Sequence, residues 1–161
     1  MLHRLAFRLW PRLPWLVRHA IVLAMFWHGP LAAVAIIRDA DGRVLFVRQS
    51  YRRDGRWGLP GGFCAHNERP SRAVVREVRE ELGLRVTGVS LLAEGAGEFG
   101  EAAFAFAAEV SGEPSIATAE LLAWRYFGRD ELPPLSPPTA ELVRDALWRL
   151  DETARRVVQV Q

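Results

Sequence analysis

The stretch "GGFCAHNERPSRAVVREVREELGL", residues 61–84, sets three carboxylates, Glu77, Glu80 and Glu81, on one short helical segment. Pro70 suits the first turn of that helix and Gly83 its left-handed cap, which predicts a helix from about Pro70 to Leu82. At about 100° per residue, with Val74 at zero, Val78, Leu82 and Val75 fall within an arc of about 100° and form the stripe for the core. Glu80 at about 240°, Glu77 at about 300° and Glu81 at about 340° share a face bordering that stripe, and Arg72, Arg76 and Arg79 fill the remaining arc. Like charges at these spacings repel by a few tenths of a kcal/mol on an isolated helix, and more where burial lowers the dielectric. A divalent cation reverses that sign, and clustered hard oxygen donors suit Mg²⁺ or Mn²⁺. Taken alone, the helix is better explained as a solvated face paired with Arg76 and Arg79.

The residues ahead of the helix favour the cation. From Gly62, five residues lead to Glu68 and seven more to Arg76 and Glu77, followed by Val78, Arg79, Glu80, Glu81, Leu82, Gly83 and Leu84. Every fixed position of the pattern G-x5-E-x7-R-E-U-x-E-E-x-G-U, with U aliphatic, is filled, and the stretch resembles the signature of the Nudix (MutT-like) hydrolases. The resemblance runs from about residue 31 to 150, taking in "WGLPGG" before the box and "ELLAWRYFGRDELP" after it. It implies an α/β fold, the family's α/β/α sandwich with a mixed β-sheet. It also implies hydrolysis of the pyrophosphate bond of a nucleoside diphosphate linked to another moiety, by attack of a metal-activated water. Carried over position by position, the metal ligands are Glu77, Glu80 and Glu81 with the backbone carbonyl of Gly61. Glu68 is a further ligand or a support, and Arg76 orients the carboxylates. The same resemblance makes Mg²⁺ or Mn²⁺ the cofactor and a small diphosphate the substrate. Many family members have Glu and Gly where this chain has Ala65 and Asn67. Asn tolerates the left-handed conformation, so Asn67 is expected to preserve the turn, whereas Ala65 removes an acidic contact. A catalytically idle module of the same fold, binding a nucleotide or a protein, is the alternative; the complete carboxylate set argues against it.

Working outward, "LAAVAIIRD" and "RVLFVRQS" read as two strands of a hairpin around Asp41 and Gly42, and "RVTGVSLLAEG", "EAAFAFAAEV" and "LLAWRYF" as three more strands. A proline-punctuated loop then leads to a final helix from about Pro138 to Leu150. The order β, β, α, β, β, β, α predicts a mixed sheet covered by helices. The expected division is an N-terminal extension over 1–30, a hydrolase domain over 31–150 and a tail over 151–161.

The whole chain has 161 residues, half of them hydrophobic and a quarter charged, enough for one domain with a real core. Its 21 basic residues are all arginine, a compositional bias rather than a phosphate-binding surface, and no nucleic-acid partner is expected. One cysteine, Cys64, excludes an internal disulfide framework and suits a reducing, cytoplasmic compartment. Residues 1–30 lie outside the box-bearing domain. They carry Arg4, Arg8, Arg12 and Arg18, no acid, and Trp10, Trp15 and Trp27 ahead of and within an apolar run broken by Gly29 and Pro30. Two expectations fit them: packing against the domain or a second subunit, as in a homodimer, or peripheral attachment to anionic lipid at the inner face of the membrane.

Four residues apart from the fixed positions of the box are candidates for substrate contact. Arg48 can grip phosphate, Trp57 and Phe63 can stack on a base, and Glu120 can stand near the metals. Arg52, Arg53 and Arg56 read as a surface loop, and Cys64 with His66 as loop packing.

Overall fold

A computed structural model describes residues 31–159 other than 53, so the expectations for the N-terminal extension lie outside the described residues. The chain runs β1 (Leu31–Ile36), β2 (Val44–Gln49), β3 (Gly61–Phe63), α1 (Pro70–Leu82), β4 (Arg85–Ala96), β5 (Ala102–Ser111), β6 (Leu121–Phe127), a short 3₁₀ turn (Arg129–Glu131) and α2 (Pro137–Gln159). Among the described residues no helix is long and apolar enough to cross a membrane.

Alternation along the strands builds an α/β/α sandwich. Ala33 and Ala35 of β1, Leu45 and Val47 of β2, and Phe106 and Ala108 of β5 belong to one core with Val74, Val78 and Leu82 of α1. The intervening residues Ile36, Val44, Phe46 and Ala105 face a second core with Leu142, Val143, Ala146 and Leu147 of α2. Because successive strand side chains point to opposite faces, each strand feeds both layers. In α1 the buried set is Ala73, Val74, Val78, Glu81 and Leu82. Val75, expected in the stripe, is 37% exposed because it lies at the stripe's margin.

The structure departs from the sequence expectation in three ways. The turn at 39–43 forms, with Leu45 N–H donating to Ile37 O at 2.9 Å, but the strands then diverge into different sheets. The four-stranded sheet has the order β3-β1-β5-β4, and β2 pairs only with β6 among named strands. β1 is antiparallel to β3 and parallel to β5, which makes that sheet mixed. Apolar residues at both parities of β1 and β2 let each strand bury two faces, so the pattern alone does not choose the partner. The short β3 was not anticipated, since "GGF" lacks strand propensity. Lastly, α2 continues to Gln159, beyond the expected end near Leu150. No helix breaker follows Leu150, and Arg156–Glu152 (2.5 Å) supports the added turns.

Candidate functional site

Gly61 begins β3 opposite Val34 of β1 with φ 140. A Cβ there would lie 2.2 Å from the Ala33 carbonyl oxygen, so only glycine permits this strand pairing. At Gly62 a Cβ would meet Glu77 Oε1 at 2.7 Å. The paired glycines thus let the backbone of β3 lie directly on carboxylates rising from α1. Gly61 N–H donates to Glu81 Oε2 at 2.9 Å, fixing Glu81 beneath the strand. Asn67 adopts φ 61, as its residue type predicted, and Gly83 caps α1 with φ 67 and its N–H on Arg79 O at 3.0 Å.

Arg76 ties the loop to the helix. Its Nε and Nη2 donate to Glu68 Oε1 and Oε2 at 3.0 and 2.8 Å, a two-pronged ion pair. Nη1 donates to Glu77 Oε1 at 2.7 Å and more weakly to Glu80 Oε2 at 3.4 Å, and Nη2 also reaches Phe63 O at 3.1 Å. Glu68 in turn accepts from Ala65 N–H at 2.8 Å. The hydrogen bonds from Arg76 hold the Glu68 carboxyl below its ordinary range. Burial acts the other way on its neighbours. It raises Glu77 despite the guanidinium, and it pushes Glu81, only 5% exposed, up to about 8. The charges of Glu77, Glu120 and Glu80 add to the rise at Glu81, and the Gly61 N–H opposes it.

This donor set fits a divalent cation. Among the described residues no three acidic, histidine or cysteine side chains converge on one point, because Arg76 draws Glu68, Glu77 and Glu80 toward itself. The fit rests on the chemistry of the donors: two carboxylates with raised proton affinity under a glycine backbone, with Glu80 exposed on the same helix, form a site in which positive charge relieves desolvation and repulsion together.

A cavity of about 110 Å³ opens beside the glycines. Its wall includes Gly61, Gly62, Phe63, Arg52 and the turn between β4 and β5. The sequence-derived residues divide accordingly. Gly61, Glu68, Arg76, Glu77, Glu80 and Glu81 come together, Phe63 lines the cavity, and Glu120 stands close enough for its charge to act on Glu81. Trp57 instead packs edge-on against Phe127 at 5.0 Å, on the α2 side of the core. Arg48 is exposed on β2 opposite Ala123 and is not part of the cavity wall. Its place is taken by Arg52, which pairs with Glu98 and donates from Nε to Gln49 Oε1 at 2.6 Å. Glu98 and Phe99 fall between two expected strands and Glu101 begins the second of them, and the aromatic inside "GEFGE" was the available signal.

Residues 28–146 match the NUDIX domain family, and the chain belongs to that family. A curated relative, the NAD-capped RNA hydrolase NudC of Escherichia coli O1:K1 / APEC, is 35% identical over 112 residues, which is 68% of this chain and 43% of NudC. The chain thus spans less than half the length of the curated relatives it matches. The MutT NUDIX hydrolase of Burkholderia pseudomallei superposes with a TM-score of 0.64 at 33% identity, over 72% of this chain and 96% of that one. An ADP-ribose pyrophosphatase of Streptococcus suis 89-1591 gives 0.62 at 28% identity, over 74% and 90%.

Proposed function

We propose that this chain is a hydrolase of the pyrophosphate bond in nucleoside diphosphates linked to another moiety, with Mg²⁺ or Mn²⁺ held by Glu77, Glu80, Glu81 and the Gly61 carbonyl. The observation that carries the reading is the contact of the Gly61–Gly62 backbone with Glu77 and Glu81 at the edge of a cavity. The relatives named as acting on NAD-capped RNA and on ADP-ribose support a diphosphate-linked nucleotide as the substrate class.

In this reading Glu77, Glu80, Glu81 and the Gly61 carbonyl would hold the cation, which would supply charge neutralisation at the phosphoryl oxygens and a more acidic water for attack. The chain's own residues supply position. Arg76 holds Glu77 by one nitrogen and Glu68 by two, so the carboxylates present fixed lone pairs rather than a mobile cluster. Gly61 N–H holds Glu81, and the absence of a Cβ at Gly62 makes room for the Glu77 carboxylate against the strand.

A panel of diphosphates, including ADP-ribose, NAD and UDP-sugars, incubated with Mg²⁺ and with Mn²⁺ tests this by the phosphate released after coupling to a phosphatase. Turnover of at least one nucleoside diphosphate compound that stops in EDTA is expected. Binding of nucleotide without any turnover under either metal would favour the idle binding module and refute the hydrolase.

A further inference from the structure

Phe99 is 70% exposed on the turn between β4 and β5, an unusual place to hold a large apolar ring still. The turn is nevertheless tightly built. Gly97 N–H donates to Glu101 O at 2.7 Å, Gly100 N–H to Gly97 O at 3.2 Å, and Phe99 N–H to Glu101 Oε2 at 2.8 Å. Glu101 is buried, and a Cβ at Gly97 would lie 2.0 Å from its Oε1, so a side chain there would displace the Glu101 carboxylate. From the other side the Arg52–Glu98 ion pair fastens the turn to the segment after β2. These contacts fix the backbone beneath Phe99 while leaving its ring outside.

That ring faces Phe63 across the cavity, with centroids 6.4 Å apart and planes inclined at 39°. A flat ring in contact with two others lies about 3.5 Å from each, so the outer rings stand roughly 7 Å apart. Less than an ångström of opening, together with alignment of the two planes, therefore admits one aromatic ring. A second feature points into the same space. Arg52 lines the same cavity, and its buried Nη1 has no hydrogen-bond partner among the described residues, which leaves a donor for an acceptor brought by water or a ligand.

We propose that Phe99 and Phe63 clamp the aromatic base of the substrate, with Phe99 as the specificity-determining residue and Arg52 available to an acceptor on the ring's edge. This rests on the diphosphate-hydrolase reading for its substrate but on the aromatic pair for its geometry. Phe63 sits one residue beyond Gly62, so a base held there keeps its diphosphate within reach of Glu77.

The test compares wild type, Phe99→Ala and Phe99→Trp on the best nucleotide of the panel and on P1,P2-dimethyl diphosphate, which has no base. Stacking of one base on an aromatic side chain corresponds to roughly a ten-fold or greater loss on truncation to alanine. Phe99→Ala is expected to raise KM for the nucleotide about ten-fold with kcat nearly unchanged, to leave kcat/KM for dimethyl diphosphate at the wild-type value, and to be rescued by Phe99→Trp. Unchanged KM for the nucleotide, or equal losses on both compounds, overturns the clamp. Quenching of 1,N6-etheno-ADP fluorescence in EDTA reads the clamp without catalysis: about ten-fold weaker binding by Phe99→Ala supports it, and equal binding by the two proteins overturns it. If no diphosphate is cleaved but quenching is lost in Phe99→Ala, the hydrolase reading fails and the clamp stands.

Discussion

Replacing Glu81 by Gln should separate what this side chain does to folding from what it does to chemistry. Glu81 is 5% exposed, and burial pushes its carboxyl up to about 8. Between its ordinary value of 4.5 and that higher value, the folded chain keeps a proton that the unfolded chain has lost. The folded state then binds more protons, so stability contributed by Glu81 is full below about pH 4.5, declines as pH rises, and is gone above about pH 8. At about 1.4 kcal/mol for each tenfold change in proton affinity, the decline amounts to roughly 5 kcal/mol. Gln carries no charge to desolvate and still offers an oxygen to Gly61 N–H, so the variant escapes this decline. The measurement is thermal unfolding of both proteins in EDTA from pH 5 to 8.5. The expected result is near-equal Tm at pH 5 and a variant more stable by roughly 10 °C at pH 8.5, allowing a few degrees per kcal/mol. The same variant should lose about two or more orders of magnitude in kcat on the best diphosphate, through loss of charge stabilisation in the site. A stability difference that does not change with pH would show that burial of the Glu81 charge is not its source.

Three further outcomes follow from the same contacts. Excess EDTA should abolish diphosphate hydrolysis, and Mg²⁺ or Mn²⁺ should restore it; persistent turnover in EDTA would dispose of the metal-dependent mechanism. Gly62→Ala should fold but displace Glu77, whose Oε1 would lie 2.7 Å from the new Cβ, lowering activity far more than Tm, whereas Gly61→Ala, with its Cβ 2.2 Å from a backbone oxygen, should compromise folding itself. Comparing soluble yield, Tm and kcat of the two variants checks this, and equal Tm for both would contradict the close approach of β3 to β1. Arg76→Gln should destabilise the protein in EDTA by about 2 kcal/mol, since it strands the partly buried Glu68 and Glu77, with part of the loss returned by Mg²⁺; denaturant titrations with and without the ion measure both effects.

The carboxylate site was legible in the sequence because its parts are local. Glu68, Arg76, Glu77, Glu80 and Glu81 belong to one loop and one helix, whose period and caps fix their relative directions before any tertiary contact forms. Asn67 and Gly83 were equally readable, each occupying a left-handed position that few residue types accept. Strand partners lack that locality. β1 carries buried residues at both parities, Ala33 and Ala35 toward α1 and Ala32 and Ile36 toward α2, so its pattern suits a hairpin partner and a central position equally well. The choice is made by β5, far along the chain, which pairs with β1 in parallel and closes off the simple hairpin. The cavity wall was hidden for the same reason. Arg48 was singled out and Arg52 read as surface loop, yet Glu98 on a distant turn pairs with Arg52 in the wall while Arg48 stays exposed on β2. Trp57 went the other way, because Phe127 offered its ring an apolar edge contact. The residues that line the cavity are thus set by contacts between distant segments, whereas the carboxylates come from one loop and one helix. A chain can keep the second while changing the first, so the reaction class of this chain is easier to read from its sequence than its substrate.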